Sequence, residues 1–263
     1  MSSPDPSPAR VQISRVQIYG ERCSGTNYVA ELLKRNFTGL RIVDEFGWKH
    51  GWVYGEVERA ADCVFLVVSR DPFDWLRSLH EKPWHAAPEL RGVPISRFLR
   101  TPWRCLWGTD TDLDRSDPRH GTEMLHERDP QTREPFANPM RLRTAKARAW
   151  AALRLRVRHH LAVRYEDVAR DPRAFVASFA ARWKLTRWPW FRDVKTFKGG
   201  REPFRPKRYA AIATQDLVWI ASELDAASEA ARGYDLAARV AELSAPLEGA
   251  QPDQAQPNQA QHG

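Results

Sequence analysis

The stretch that decides the fold is Cys63-Val64-Phe65-Leu66-Val67-Val68, followed at once by Ser69-Arg70-Asp71-Pro72. An unbroken apolar run rich in β-branched residues suits a strand covered on both faces, as in a parallel sheet. Asp71 before Pro72 marks a helix start, because the carboxylate caps first-turn amides and proline needs no donor there. The same sentence is written twice more. Val16-Gln17-Ile18-Tyr19 leads to a helix from Thr26 through Tyr28-Val29-Ala30-Glu31-Leu32-Leu33, and Leu161-Ala162-Val163-Arg164-Tyr165 leads to Asp171-Pro172. Strand, turn and helix three times over predict an α/β fold, a three-layer sandwich around a mainly parallel sheet.

Between these units, residues 80–139 are rich in Pro, Trp, His and Asp and lack periodicity. A stretch that long reads as an irregular or helical cap rather than a plain loop. Met140 to His159 reads as a basic amphipathic helix carrying Arg141, Arg143, Lys146 and Arg148. Further helices are expected over Thr214 to Glu229 and Leu236 to Leu243. Residues 1–10 are Ser/Pro-rich and 246–263 end in QPDQAQPNQAQHG, so both are expected to be disordered around one domain spanning 11–245.

Composition narrows the function classes. The 263 residues are 42% apolar and 28% charged, which excludes global disorder. No apolar run reaches the ~20 residues of a bilayer span, and the first ten residues lack the apolar core of a secretory signal. Three widely spaced cysteines, Cys23, Cys63 and Cys105, fit neither a disulfide scaffold nor a metal knuckle, and predict a cytoplasmic protein without a metal site. A formal charge of +8, from 41 basic and 33 acidic residues, points to an anionic ligand.

The turn after the first strand reads Gly20-Glu21-Arg22-Cys23-Ser24-Gly25-Thr26-Asn27. Two glycines separated by four residues let amides turn inward while the next helix aims its positive end at the same point, so the turn is a phosphate cradle by geometry. An ordinary glycine turn is the plainer reading. A nucleoside-triphosphatase loop would continue with Lys and Ser/Thr for the terminal phosphates and Mg²⁺. Here Thr26 and Asn27 stand in those places, which suits transfer of an anion without metal. At the end of the strongest strand, Arg70, with Ser78 eight residues on, could close a second anion site at the carboxyl edge of the sheet. The competing reading pairs Arg70 with Asp71 or Asp74.

Together these segments resemble the sulfotransferases that use 3′-phosphoadenosine 5′-phosphosulfate. Cys23-Ser24-Gly25-Thr26-Asn27-Tyr28 is similar to the family's Lys-Ser-Gly-Thr-Thr-Trp loop, and Arg70 with Ser78 to its 3′-phosphate site. Arg164-Tyr165-Glu166-Asp167 is similar to its Tyr-Glu-Asp segment, and Phe197-Lys198-Gly199-Gly200-Arg201 to its nucleotide-closing Arg-Lys-Gly segment. The likeness covers roughly residues 13 to 82 and 140 to 202, in the family's order. It implies that Arg22, Cys23, Ser24, Gly25, Thr26, Asn27, Arg70, Ser78, Tyr165, Lys198 and Gly199 hold the donor nucleotide. Cys23 replaces the family's lysine, so Arg22 is the expected substitute cation.

Phe46-Gly47-Trp48-Lys49-His50-Gly51 lies where the family carries a Lys-x-His segment. The resemblance assigns Lys49 to the leaving oxygen and His50 to the acceptor proton, with Glu45 or Asp44 as competing bases and a structural His50 as a further reading. Adjacent residues on a regular strand face opposite ways, so the flanking glycines must distort the chain. The expected acceptor is a small molecule or glycan hydroxyl or amine; Trp84, Trp103 and Trp107 of the cap could meet it with their ring faces, although a place in a core is the better reading for any one of them, and nucleic acid is not expected. Two other classes compete: a P-loop kinase, and a non-enzymatic anion-binding module using the Arg-rich helix, whose bland alternative is a solvated face.

Overall fold

The computed structural model describes residues 11–108, 111, 113–196 and 209–245. The readings of residues 1–10, of 246–263 and of Lys198 and Gly199 fall outside them. Four parallel strands, β1 (Arg15–Tyr19), β2 (Arg41–Val43), β3 (Cys63–Ser69) and β4 (His160–Arg164), form one sheet in the order β2-β1-β3-β4. Strand β2 is short and begins on an exposed residue, which left no pattern to read.

The strand alternation sorts the helices. Val16, Ile18, Val64, Leu66 and Val68 pack with Val29, Leu32 and Leu33 of α1 (Thr26–Asn36) and with Val176 and Phe179 of α6 (Pro172–Trp183). Tyr19, Phe65 and Val67 point the other way, onto Trp150 of α4 (Pro139–Ala152). Helices on both faces explain why β3, buried at every position, is a continuous apolar run. Asp71 caps α2 (Pro72–Glu81), accepting from the amides of Phe73 at 3.0 Å and Asp74 at 2.9 Å, and Asp171 accepts from Ala174 at 2.8 Å.

A second core joins α2 to α3 (Ile95–Arg100), to the rest of 80–139 and to α7 (Thr214–Glu223) and α9 (Leu236–Ser244). Three antiparallel bridges, Ala86 to Cys105, Trp103 to Phe136 and Leu106 to Glu123, tie the segment to itself. Trp103 is 1% exposed within this core, the better of the two readings for any single tryptophan of the cap. The helix expected over Thr214 to Glu229 breaks at Leu224. There Asp225 accepts from Ser228 and starts α8 (Ala226–Ala230), while α5 (Tyr165–Arg170) follows β4 directly. No helix among the described residues is long and apolar enough to cross a membrane.

The register places the chemistry. Tyr19 pairs with Val67 and Ser69 with Arg164, so Gly20, Arg70 and Tyr165 leave the sheet at one edge. Strand order reverses between β1 and β3, and such a switch point opens a crevice outside the carboxyl ends of the two strands.

Candidate active site

The loop from Gly20 to Gly25 is shaped by close approach. A β-carbon on Gly20 would lie 2.4 Å from the Val68 carbonyl, and one on Gly25 would lie 2.2 Å from Cδ2 of Tyr165. Gly25 holds φ at +91° and Cys23 at +63°, the left-handed backbone that turns successive amides to one side. Helix α1 then begins without a side-chain cap. Ser24 Oγ is buried and has no hydrogen-bond partner among the described residues. A helix terminus lacking a cap and an orphaned hydroxyl in one glycine loop fit an oxyanion.

Two cations reach this loop from separate strand ends. Arg70 donates to the Cys23 carbonyl at 3.0 Å, and its guanidinium stands 5.5 Å from the Tyr165 ring centroid. The pairing of Arg70 with Asp71 or Asp74 does not form. Asp71 caps α2 and faces Arg239 at 3.3 Å; Asp74 lies 3.2 Å from both Arg77 and Arg239. Arg70 therefore has no carboxylate partner among the described residues, and one carbonyl occupies only one of its five N–H groups. Ser78 meets the loop through its backbone, its carbonyl 3.7 Å from Cys23 Sγ.

Lys49 is the second cation, and Nζ donates to Asn27 Oδ1. Gly47 makes this reachable: its φ is +111°, and a β-carbon there would sit 2.6 Å from the Trp52 carbonyl, so the chain turns instead of continuing β2. Both neighbours then face the loop. The Lys49 carbonyl accepts from Gly20 N at 3.0 Å, and His50 Nδ1 donates to the Gly20 carbonyl at 2.6 Å. Burial first, then Arg22 and the neighbouring lysines, hold the His50 pKa well below 6.5, against the opposing pull of the Gly20 bond. The ring is therefore neutral at pH 7, with its lone pair on Nε2.

Arg22, expected to supply the missing cation, is turned into the protein. It is 4% exposed and donates to Glu127 at 2.8 Å, His85 Nδ1 at 3.0 Å and Cys105 Sγ at 3.5 Å. Glu127 also binds Lys146 at 2.7 Å, and Lys146 donates onward to the His50 carbonyl. Burial pushes the Glu127 carboxyl up, and the two cations more than reverse it, to well below the usual carboxylate range. Glu45 is held by Arg15 at the amino end of β1, opposite the edge where the loop lies, and Asp44 is exposed.

The basic helix is not a solvated face. Arg143 and Lys146 are 0% and 1% exposed. Arg143 makes a bidentate pair with Glu229, at 2.7 and 2.9 Å, and donates to the Arg70 carbonyl at 2.8 Å. Only Arg141 and Arg148 reach solvent, where they pair with Glu223 and Asp225. The signal was present in the spacing: positions 140, 143, 147 and 150 share one helical face with buried Met140 and Trp150. Glu127, by contrast, sits in a stretch without period, and nothing local announces it.

No family model and no curated protein matches this chain.

Proposed function

We propose that the chain is a sulfotransferase, moving a sulfuryl group from 3′-phosphoadenosine 5′-phosphosulfate to a hydroxyl or amine acceptor by direct in-line displacement. The carrying observation is that Lys49 and Arg70, from different strand ends, meet the same glycine loop, one at Asn27 and the other at Cys23. The donor would supply the activated sulfuryl group. The loop amides and Ser24 would hold its 5′ end, Arg70 its 3′-phosphate, and Tyr165 would wall the loop. Lys49 neutralises charge at the oxygen that leaves, the part played by lysine in loops that carry it in line. His50 accepts the acceptor's proton on Nε2 while its Nδ1–H stays on Gly20. The loop's own sequence, Thr26-Asn27 in place of Lys and Ser/Thr, favours transfer without metal over a kinase. The acceptor in this reading is a small molecule or glycan, met in the cytoplasm.

The test is calorimetric titration with 3′-phosphoadenosine 5′-phosphate against ATP with Mg²⁺. The bisphosphate is expected to bind the wild type and to lose about tenfold or more with Arg70→Ala, the scale of a charge-assisted phosphate contact. Binding of ATP with Mg²⁺ in preference, or no binding of the bisphosphate, overturns the assignment.

A further inference from the structure

At the opposite end of the sheet lies a cavity of about 580 Å³, between the start of β4, the chain entering β1 and the end of α6. Its charge is one-sided. Arg154, Arg158, Arg182 and Lys184 line it together with His159 and His160, and no carboxylate among the described residues does. None of the four cations has a carboxylate partner among the described residues. Their neighbours behave differently: Arg156 pairs with Glu58 and Arg15 with Asp62. The end of α6 offers only about half a negative charge, far short of four positive ones.

His160 adds an independent mark. Its Nε2 is buried in the protein without any hydrogen-bond partner among the described residues, a polar atom that ordinarily finds one. The two imidazoles also register the local field. Burial, then Arg158 and Arg182 for His159, and burial, then Arg154 and Arg182 for His160, lower both pKa values below 6.5.

We propose that this cavity binds a compact polyanion, a small molecule bearing two or more phosphate or sulfate groups. One monovalent anion would leave most of the positive charge uncompensated, and the volume lies within the ~300–1,000 Å³ of small-ligand sites. The cavity is separated from the glycine loop by at least the length of β1, roughly 13 Å at a strand's rise per residue. It stands independently of the sulfotransferase reading.

The experiment titrates tripolyphosphate, sucrose octasulfate and inorganic monophosphate into the full chain, its Arg70→Ala variant and an Arg158→Ala/Arg182→Ala double variant. Both mutated arginines of the double variant are exposed, so its fold is expected to persist. At the cavity, followed by the NMR signals of His159 and His160, the oligoanions are expected to bind wild type and Arg70→Ala alike, and about tenfold or more tighter than monophosphate. Phosphate and sulfate sources are told apart by which oligoanion binds tighter. The double variant should lose about tenfold or more, and the NMR titration midpoints of His159 and His160 should rise when the anion binds. Unchanged affinity at the cavity in the double variant, loss of the histidine response in Arg70→Ala, unmoved histidine midpoints in the wild type, or binding only to phosphatidylserine vesicles would each overturn the proposal.

Discussion

Gly25 lies directly against the ring of Tyr165, so that a β-carbon at position 25 would fall 2.2 Å from Cδ2 and 2.8 Å from Cε2. The first residue closes the loop after β1; the second opens the helix after β4. Their contact makes the loop and the far strand one unit, and Tyr28 stands edge-on to Tyr165 with ring centroids 6.0 Å apart.

Gly25→Ala is expected to cost about 2–4 kcal/mol, from left-handed backbone strain of ~1–2 kcal/mol together with the overlap. In a Tyr165→Ala background only the backbone part should remain. A double-mutant cycle by chemical denaturation reads the difference. Additive costs would mean the ring moves aside freely.

Lys49→Met should remove the cation that touches Asn27 while keeping a stem of similar length. Turnover is expected to fall by about 10²-fold or more, with a much smaller change in affinity for 3′-phosphoadenosine 5′-phosphate. Equal losses in both would make Lys49 a binding residue alone.

His50→Asn separates chemistry from positioning, because the asparagine amide can still donate to the Gly20 carbonyl. The variant should keep its Tm within a few degrees and lose roughly 10²–10⁴-fold in turnover. Retained turnover in His50→Asn, alongside loss in His50→Ala, would reduce the ring to a pin for Gly20. The wild type's acid limb has a defined sign. In the proposed reaction the active form of His50 is neutral, and its pKa is held well below 6.5, so activity should persist through pH 6.5 and fall only at lower pH.

Glu127→Gln would leave Arg22 and Lys146 buried without their counter-charge, a change expected to cost about 3–5 kcal/mol at pH 7. The carboxyl is depressed in the folded chain relative to ~4.3 unfolded. Its contribution is therefore complete above that pH and shrinks as pH falls toward the folded value. Denaturation of both proteins from pH 7 to pH 3 should show the gap narrowing; a constant gap would refute the electrostatic account.

Much of this was legible in the chain. The apolar run at β3, the Asp-Pro helix starts and the glycine spacing are local signals, each with its cause within a few residues, and all appear in the structure. Arg22 misled because its position beside Cys23 says nothing of which way a guanidinium turns; Glu127, 105 residues on, decides that. Glu45 misled for the same reason, since Arg15 claims it at the wrong end of β1.

The sequence by itself determined three of the four described strands, the Asp-Pro helix starts and the tight glycine turn after β1, because hydrophobic period, capping and left-handed glycine act over a handful of neighbouring residues. Only the tertiary structure decided which charges face the loop. Arg70 is left without a carboxylate among the described residues because Arg77 and Arg239 take the nearby aspartates, and Lys49 reaches Asn27 because Gly47 bends the chain. Ion pairing is settled by which side chains the sheet register and helix packing bring within a few ångströms, and that distance is not written in sequence spacing.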